Sequence, residues 1–211
     1  MKMKLVPLLA LTLSAAAVQA QSSPATTAQS LTKEERTRAV AYLEQSGKEF
    51  VAAVNSVSDA QWKFKSAPDR WSIAECAEHI AVTEEMIWKL VSEKMMKSPA
   101  TPEKRAEVAG KDEIILQRVP DRSRKAQAPE QLKPTGRWAT RAELLKHFET
   151  TRAAEIAYLK ETNEDLRNHF EEHPAFKTMD AYQWLIFNGA HGKRHTAQIE
   201  EVKTEANYPK S

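Results

Sequence analysis

Four stretches of this chain place residues at alternating steps of three and four, the spacing of one face of an α-helix. Val40, Leu43, Gly47, Phe50 and Val54 mark the first, over about Thr32 to Asn55. Cys76, His79, Thr83, Met86 and Leu90 mark the second, which starts at Ser72 with Glu75 three residues on, a capping box. Leu145, Phe148, Arg152, Ile156 and Leu159 mark the third, from Thr140 or a neighbour to about Glu161. The fourth spans about Met179 to Ala206, with Trp184, Asn188, His191, His195, Gln198 and Val202 on one face. The stretch "NHFEEHPAF" before it reads as a corner, and few glycines and no alternating β-branched runs argue against a sheet. The prediction is an all-α four-helix bundle with a long crossover between helices 2 and 3. That crossover, residues 98–138, is rich in proline and charge, with a short helix near Lys111–Gln117, and should be looser than the helices.

The N-terminus has a different character. "MKMK" is a positive start, "LVPLLALTLSAAAV" an apolar run, and Val18-Gln19-Ala20 supplies small residues for cleavage. This is the layout of a secretory signal peptide, and the run is too short for a permanent anchor. The expected organisation is a signal peptide at 1–20, a flexible leader at 21–31 and the bundle at 32–207. The expected location is exported, periplasmic or secreted, with no membrane anchor after cleavage. Losing Lys2 and Lys4 leaves 29 basic residues against 29 acidic ones, which gives no reason to expect nucleic acid as a partner. Cys76 is the lone cysteine, so no internal disulfide is available.

The fourth helix carries a polar seam where a bundle helix normally buries leucine. His191 and His195, one turn apart, can share a metal ion, but a tight site needs a third ligand. His79 is the natural candidate, being the remaining histidine on an inward line of a long helix. From the residues alone, a metal site and a set of satisfied core histidines stand level. Neither a Gly-rich phosphate loop, nor a nucleophile elbow, nor a Cys-x-x-Cys is present.

"WSIAECAEHI" (71–80) resembles the W-S-x-x-E-x-x-x-H-[IL] signature of the DinB/YfiT-like superfamily, and "HGKRHTAQIEEV" its closing H-x-x-R-H-x-x-Q-I. "LKPTGRWAT" and "HPAFKTMDAYQWLIFNGAH" resemble its DinB-like domain branch, so the likeness covers about residues 32–205. The resemblance implies a four-helix bundle and a divalent metal held by His79, His191 and His195. It also implies a metal-dependent enzyme acting on a small-molecule substrate. Relatives include transferases and an isomerase that use low-molecular-weight thiols, and others proposed as hydrolases. An export signal departs from the thiol users, which work in the cytoplasm. Three imidazoles with an open position suit a catalytic ion, which polarises a substrate or acidifies bound water or thiol. Zinc, nickel, iron or manganese are the candidates.

Around these histidines, Glu75 could orient the His79 ring, although the capping box also explains it. Asn188 and Gln198 could hydrogen-bond the histidines or a substrate. Arg152 could meet an anionic substrate or pair with a nearby glutamate. Cys76 reads as a small core residue, Trp71 as a packing anchor at the bundle end, and Trp184 as core or cavity wall. The rival to the enzyme is a non-catalytic metal- or ligand-binding bundle, and a homodimer is compatible with either.

Overall fold

Each long helix starts at a side chain that caps its own backbone. In the computed structural model, which describes residues 30–124 and 127–210, helix α1 (Lys33–Asn55) opens on Thr32 with Glu35. Helix α3 (Ile73–Lys89) opens on Ser72 with Glu75, α5 (Arg141–Glu161) on Thr140 with Glu143, and α6 (Ala181–Lys203) on Asp180 with Gln183. All four are reciprocal capping boxes that satisfy otherwise orphaned backbone amides. The expected signal peptide and nearly all of the leader lie outside the described residues.

The four long helices form a bundle in which α1 and α3 each pack against both α5 and α6. A short helix not anticipated from the sequence, α2 (Asp59–Lys63), lies between α1 and α3. Helix α3 continues through a π-turn (Leu90–Lys94) into a 3-10 turn (Met95–Lys97). The described part of the crossover carries more regular structure than its composition suggests. It holds 3-10 turns at Pro102–Val108 and Glu130–Leu132 and the expected short helix, α4 (Lys111–Arg118).

Two apolar clusters fill the interior. One gathers Leu43, Ile87, Leu159 and Leu185, and the other Phe50, Ile73, Phe148 and Ile199. Burying side chains of this size stabilises by roughly 1.5–3 kcal/mol each. Between them the helices contribute a buried polar layer of Ser46, Thr83, Glu84, Arg152, Glu155 and Asn188. That layer corrects the expected register of α3. Met86 is 37% exposed, while Glu84 is buried because it meets Arg152 across the bundle, and Ile87 follows it inward.

The corner before α6 is also corrected. It is an antiparallel hairpin, β1 (Phe170–His173) with β2 (Lys177–Asp180), paired from Phe170↔Asp180 to His173↔Lys177. His173 Nδ1 accepts from the amides of Ala175 and Phe176 at 3.1 and 3.2 Å, so a side chain helps to build this turn. Lys177 has a φ of 59°, in the left-handed region, where the chain returns. Four-residue strands carry too little periodicity to be read from sequence. Helix α6 consequently starts at Ala181 rather than Met179, and it ends at Lys203 rather than Ala206.

Candidate metal centre

His79 sits on the second turn of α3, where the Ser72 cap fixes the helix phase. His191 and His195 project from successive turns of α6, which packs on α3. One ligating nitrogen from each of the three lies within 4.8 Å of the others. The ring centroids are 4.9 Å apart for His79 and His191, 4.5 Å for His79 and His195, and 4.5 Å for His191 and His195. His79 is buried, and the two α6 histidines are partly exposed.

The nitrogens are presented in a consistent sense. His79 Nδ1 lies 2.7 Å from the Leu132 carbonyl oxygen, so it carries the proton and donates it, which leaves Nε2 as a lone pair. His195 Nδ1 lies 2.9 Å from Gln198 Oε1 and is held in the same way. His79 Nε2 and His191 Nε2 approach to 3.1 Å. Two nitrogens bound at about 2 Å to one tetrahedral ion would be roughly 3.3 Å apart. The His79–His191 pair thus has the spacing of two ligands on one ion, and the three rings together could hold a borderline-soft divalent ion, leaving a fourth tetrahedral position; an all-imidazole set does not suit calcium or magnesium.

Electrostatics favour the ligating form. Burial pushes the His79 and His191 pKa values below the ordinary imidazole value of 6.5, and neighbouring histidines add to the shift at His191. Burial, then the charge of His79, takes His195 down to about 3. Neutral rings are the form that coordinates.

Beyond the rings the structure sorts the other candidates. Gln198 touches the site through His195, and its Oε1 also accepts from Arg122 Nη1 at 3.3 Å. Arg122 in turn grips Glu201 with two contacts of 2.5 and 2.6 Å. Glu75 does not orient His79. Its carboxylate accepts from the Ser72 amide at 2.7 Å and from Lys65 at 2.9 Å. Asn188 binds no histidine, since its Nδ2 donates to the Glu84 carbonyl at 3.3 Å and to Glu155 Oε1 at 2.6 Å. Arg152 is only 4% exposed and is used up by Glu84, the Leu43 carbonyl and Ser46, so it offers nothing to an anionic substrate. Cys76 is buried, and burial pushes its thiol up to about 12, which suits a core residue and not a ligand or nucleophile. Trp184 is buried, packs on His173 and Phe187, and donates to the Glu171 carbonyl at 3.4 Å.

Three neighbours were not foreseen. Trp71 packs against the second apolar cluster as expected, and it also reaches the site, its ring lying 5.0 Å from His79 and 6.2 Å from His195. Phe187 stacks on His191 at 5.9 Å, and its position four residues earlier on α6 is a signal the sequence did carry. The Leu132 carbonyl had no such signal, because a backbone acceptor in a crossover leaves no mark on residue type.

Comparison with known proteins agrees with this architecture. The model of the DinB superfamily matches residues 42–199. The uncharacterized protein YuaE of Bacillus subtilis (strain 168) is 30% identical over 153 residues, which cover 71% of this chain and 88% of YuaE. YfiT from Bacillus subtilis superposes with a TM-score of 0.54 at 16% identity, over 89% of this chain and 94% of YfiT. YfiT is described as a probable metal-dependent hydrolase with an unusual four-helix bundle topology. At that identity the likeness speaks to the fold.

Proposed function

This chain belongs to the DinB superfamily, and from that premise we propose that it is an exported metal-dependent enzyme acting on a small molecule. Its ion is held by His79, His191 and His195. The observation that carries this reading is the convergence of the three rings, with two Nε2 atoms 3.1 Å apart and their other nitrogens engaged at His79 and His195. When bound, a divalent ion supplies Lewis-acid polarisation at that point. The chain's own part is to hold the rings. Leu132 and Gln198 fix the tautomers of His79 and His195, and Trp71 and Phe187 flank the cluster with apolar surface that displaces water.

Hydrolysis is favoured here over thiol-dependent group transfer. Low-molecular-weight thiols are cytoplasmic cosubstrates, and the N-terminal sequence directs this chain out of that compartment. Purified mature protein, loaded in turn with zinc, nickel, iron and manganese, should turn over a panel of small esters, amides and lactones without added thiol. Turnover that needs a thiol would assign a transferase instead. Stoichiometric metal with no turnover, with or without thiol, would identify the non-catalytic bundle.

A further inference from the structure

Glu78 precedes His79 on α3 and is 7% exposed, yet its carboxylate makes no ion pair in the described structure. It is instead gripped by three consecutive backbone amides of the crossover. Glu78 Oε1 accepts from Thr135 N at 2.7 Å and Arg137 N at 3.1 Å, and Oε2 accepts from Gly136 N at 2.9 Å. The Thr135 hydroxyl adds a contact at 3.3 Å. Successive amides converge on one anion only where the chain turns sharply, and Gly136, with φ +78°, supplies that turn. Arg137 extends the attachment by pairing with Glu85 at 2.6 Å.

Only Lys133 and Pro134 separate this clasp from Leu132, whose carbonyl accepts from His79 Nδ1–H at an N···O distance of 2.7 Å. Pro134 has a ring-locked φ, so the link is short and stiff. Adjacent residues of α3 thus hold the same strap at two points, one through a side-chain carboxylate and one through the imidazole itself. We infer that Glu78 is a positioning residue for the metal centre, its carboxylate holding the 132–137 strap so that the Leu132 carbonyl stays on His79 Nδ1. Without the clasp the carbonyl is free to drift, and His79 loses the acceptor that fixes both its tautomer and its ring orientation. Outer partners of this kind typically change metal affinity by roughly 10–100-fold. The metal consequence rests on the function proposed above; the tautomer consequence does not.

The test uses the full mature chain, with Glu78→Ala and the near-isosteric Glu78→Gln. In metal-free, nitrogen-15-labelled protein, ring-nitrogen shifts should report His79 as the Nδ1–H tautomer in the wild type. In Glu78→Ala they should report a mixture, with lost exchange protection at the Thr135, Gly136 and Arg137 amides. Zn2+ affinity, measured against a competing chelator, should fall by about 10-fold or more. Glu78→Gln keeps one carbonyl oxygen and should fall between, and it carries the test if Glu78→Ala does not fold. Both variants keeping the wild-type His79 tautomer would overturn the inference, whether Zn2+ affinity held or fell equally in the two through loss of charge alone. A wild type that binds no Zn2+ but shows the tautomer change would sink the proposed function and leave the positioning role standing.

Discussion

Arg152 and Glu84 form a two-pronged ion pair in the middle of the bundle, with side chains 5% and 1% exposed. It ties α5 to α3 within the polar layer that separates the two apolar clusters. Removing one partner leaves the other charge buried and uncompensated, which costs about 3–5 kcal/mol. Glu84→Ala and Arg152→Met should each lower stability by that order in urea denaturation. The double variant should be less destabilised than the sum of the two.

Glu155 lies beside this pair with 0% exposure, and its Oε1 accepts from Asn188. Burial, then the charge of Glu84, raises its pKa well above 4.5. The folded state keeps a proton that the unfolded chain releases above about 4.5. This group therefore favours folding fully below that pH and progressively less as pH rises toward its folded value. Glu155→Gln mimics the protonated form. It should stay within about 1 kcal/mol of the wild type near pH 4.5 and gain on it as pH rises. A variant whose relative stability does not change with pH would contradict the assignment.

The histidine centre carries the opposite pH sign. Its depressed imidazoles refuse protons that the unfolded chain takes up below about 6.5. Their stability contribution is present above that pH and is lost as pH falls toward 3. Acid should release metal over the same range. At neutral pH His191→Ala should lose the ion and its stabilisation while keeping helix content. His169→Ala should retain both, because His169 lies near Ser98 in the corner before α6. Metal content and melting temperature, with and without chelator, decide this. A His191→Ala protein that still binds one ion with wild-type affinity would rule out the three-histidine site.

Metal loading should also protect the crossover. The strap at 132–137 is joined to α3 through His79 and Glu78, and Arg194 on α6 donates to the carbonyls of Val119, Asp121 and Arg124. Limited proteolysis should cut within 98–138 before any long helix, and more slowly in the presence of zinc. First cleavage inside α3 or α6 would contradict both parts.

Export makes a separate prediction. Exported protein should begin near Gln21, after the small residues Val18-Gln19-Ala20. N-terminal sequencing that finds intact Met1 in exported material would refute it.

Sequence alone determined what depends on local periodicity and capping. The four long helices, the Ser72–Glu75 box that sets the phase of α3, and the shared face of His191 and His195 are all properties of residues within a few turns of one another. The place of His79 on an inward line was legible for the same reason. The tertiary structure decided which polar groups on those inward lines meet. Arg152 and Asn188 lie on the expected faces, but long-range partners on α3 and α5 draw them into the polar layer and away from the histidines. Glu75, equally well placed in sequence, is spent on its cap and Lys65. The groups that orient His79 are a backbone carbonyl 53 positions away and a clasp built from three amides 57 to 59 positions from Glu78. Backbone groups are the same in every residue, so only the path of the chain could bring them to the site.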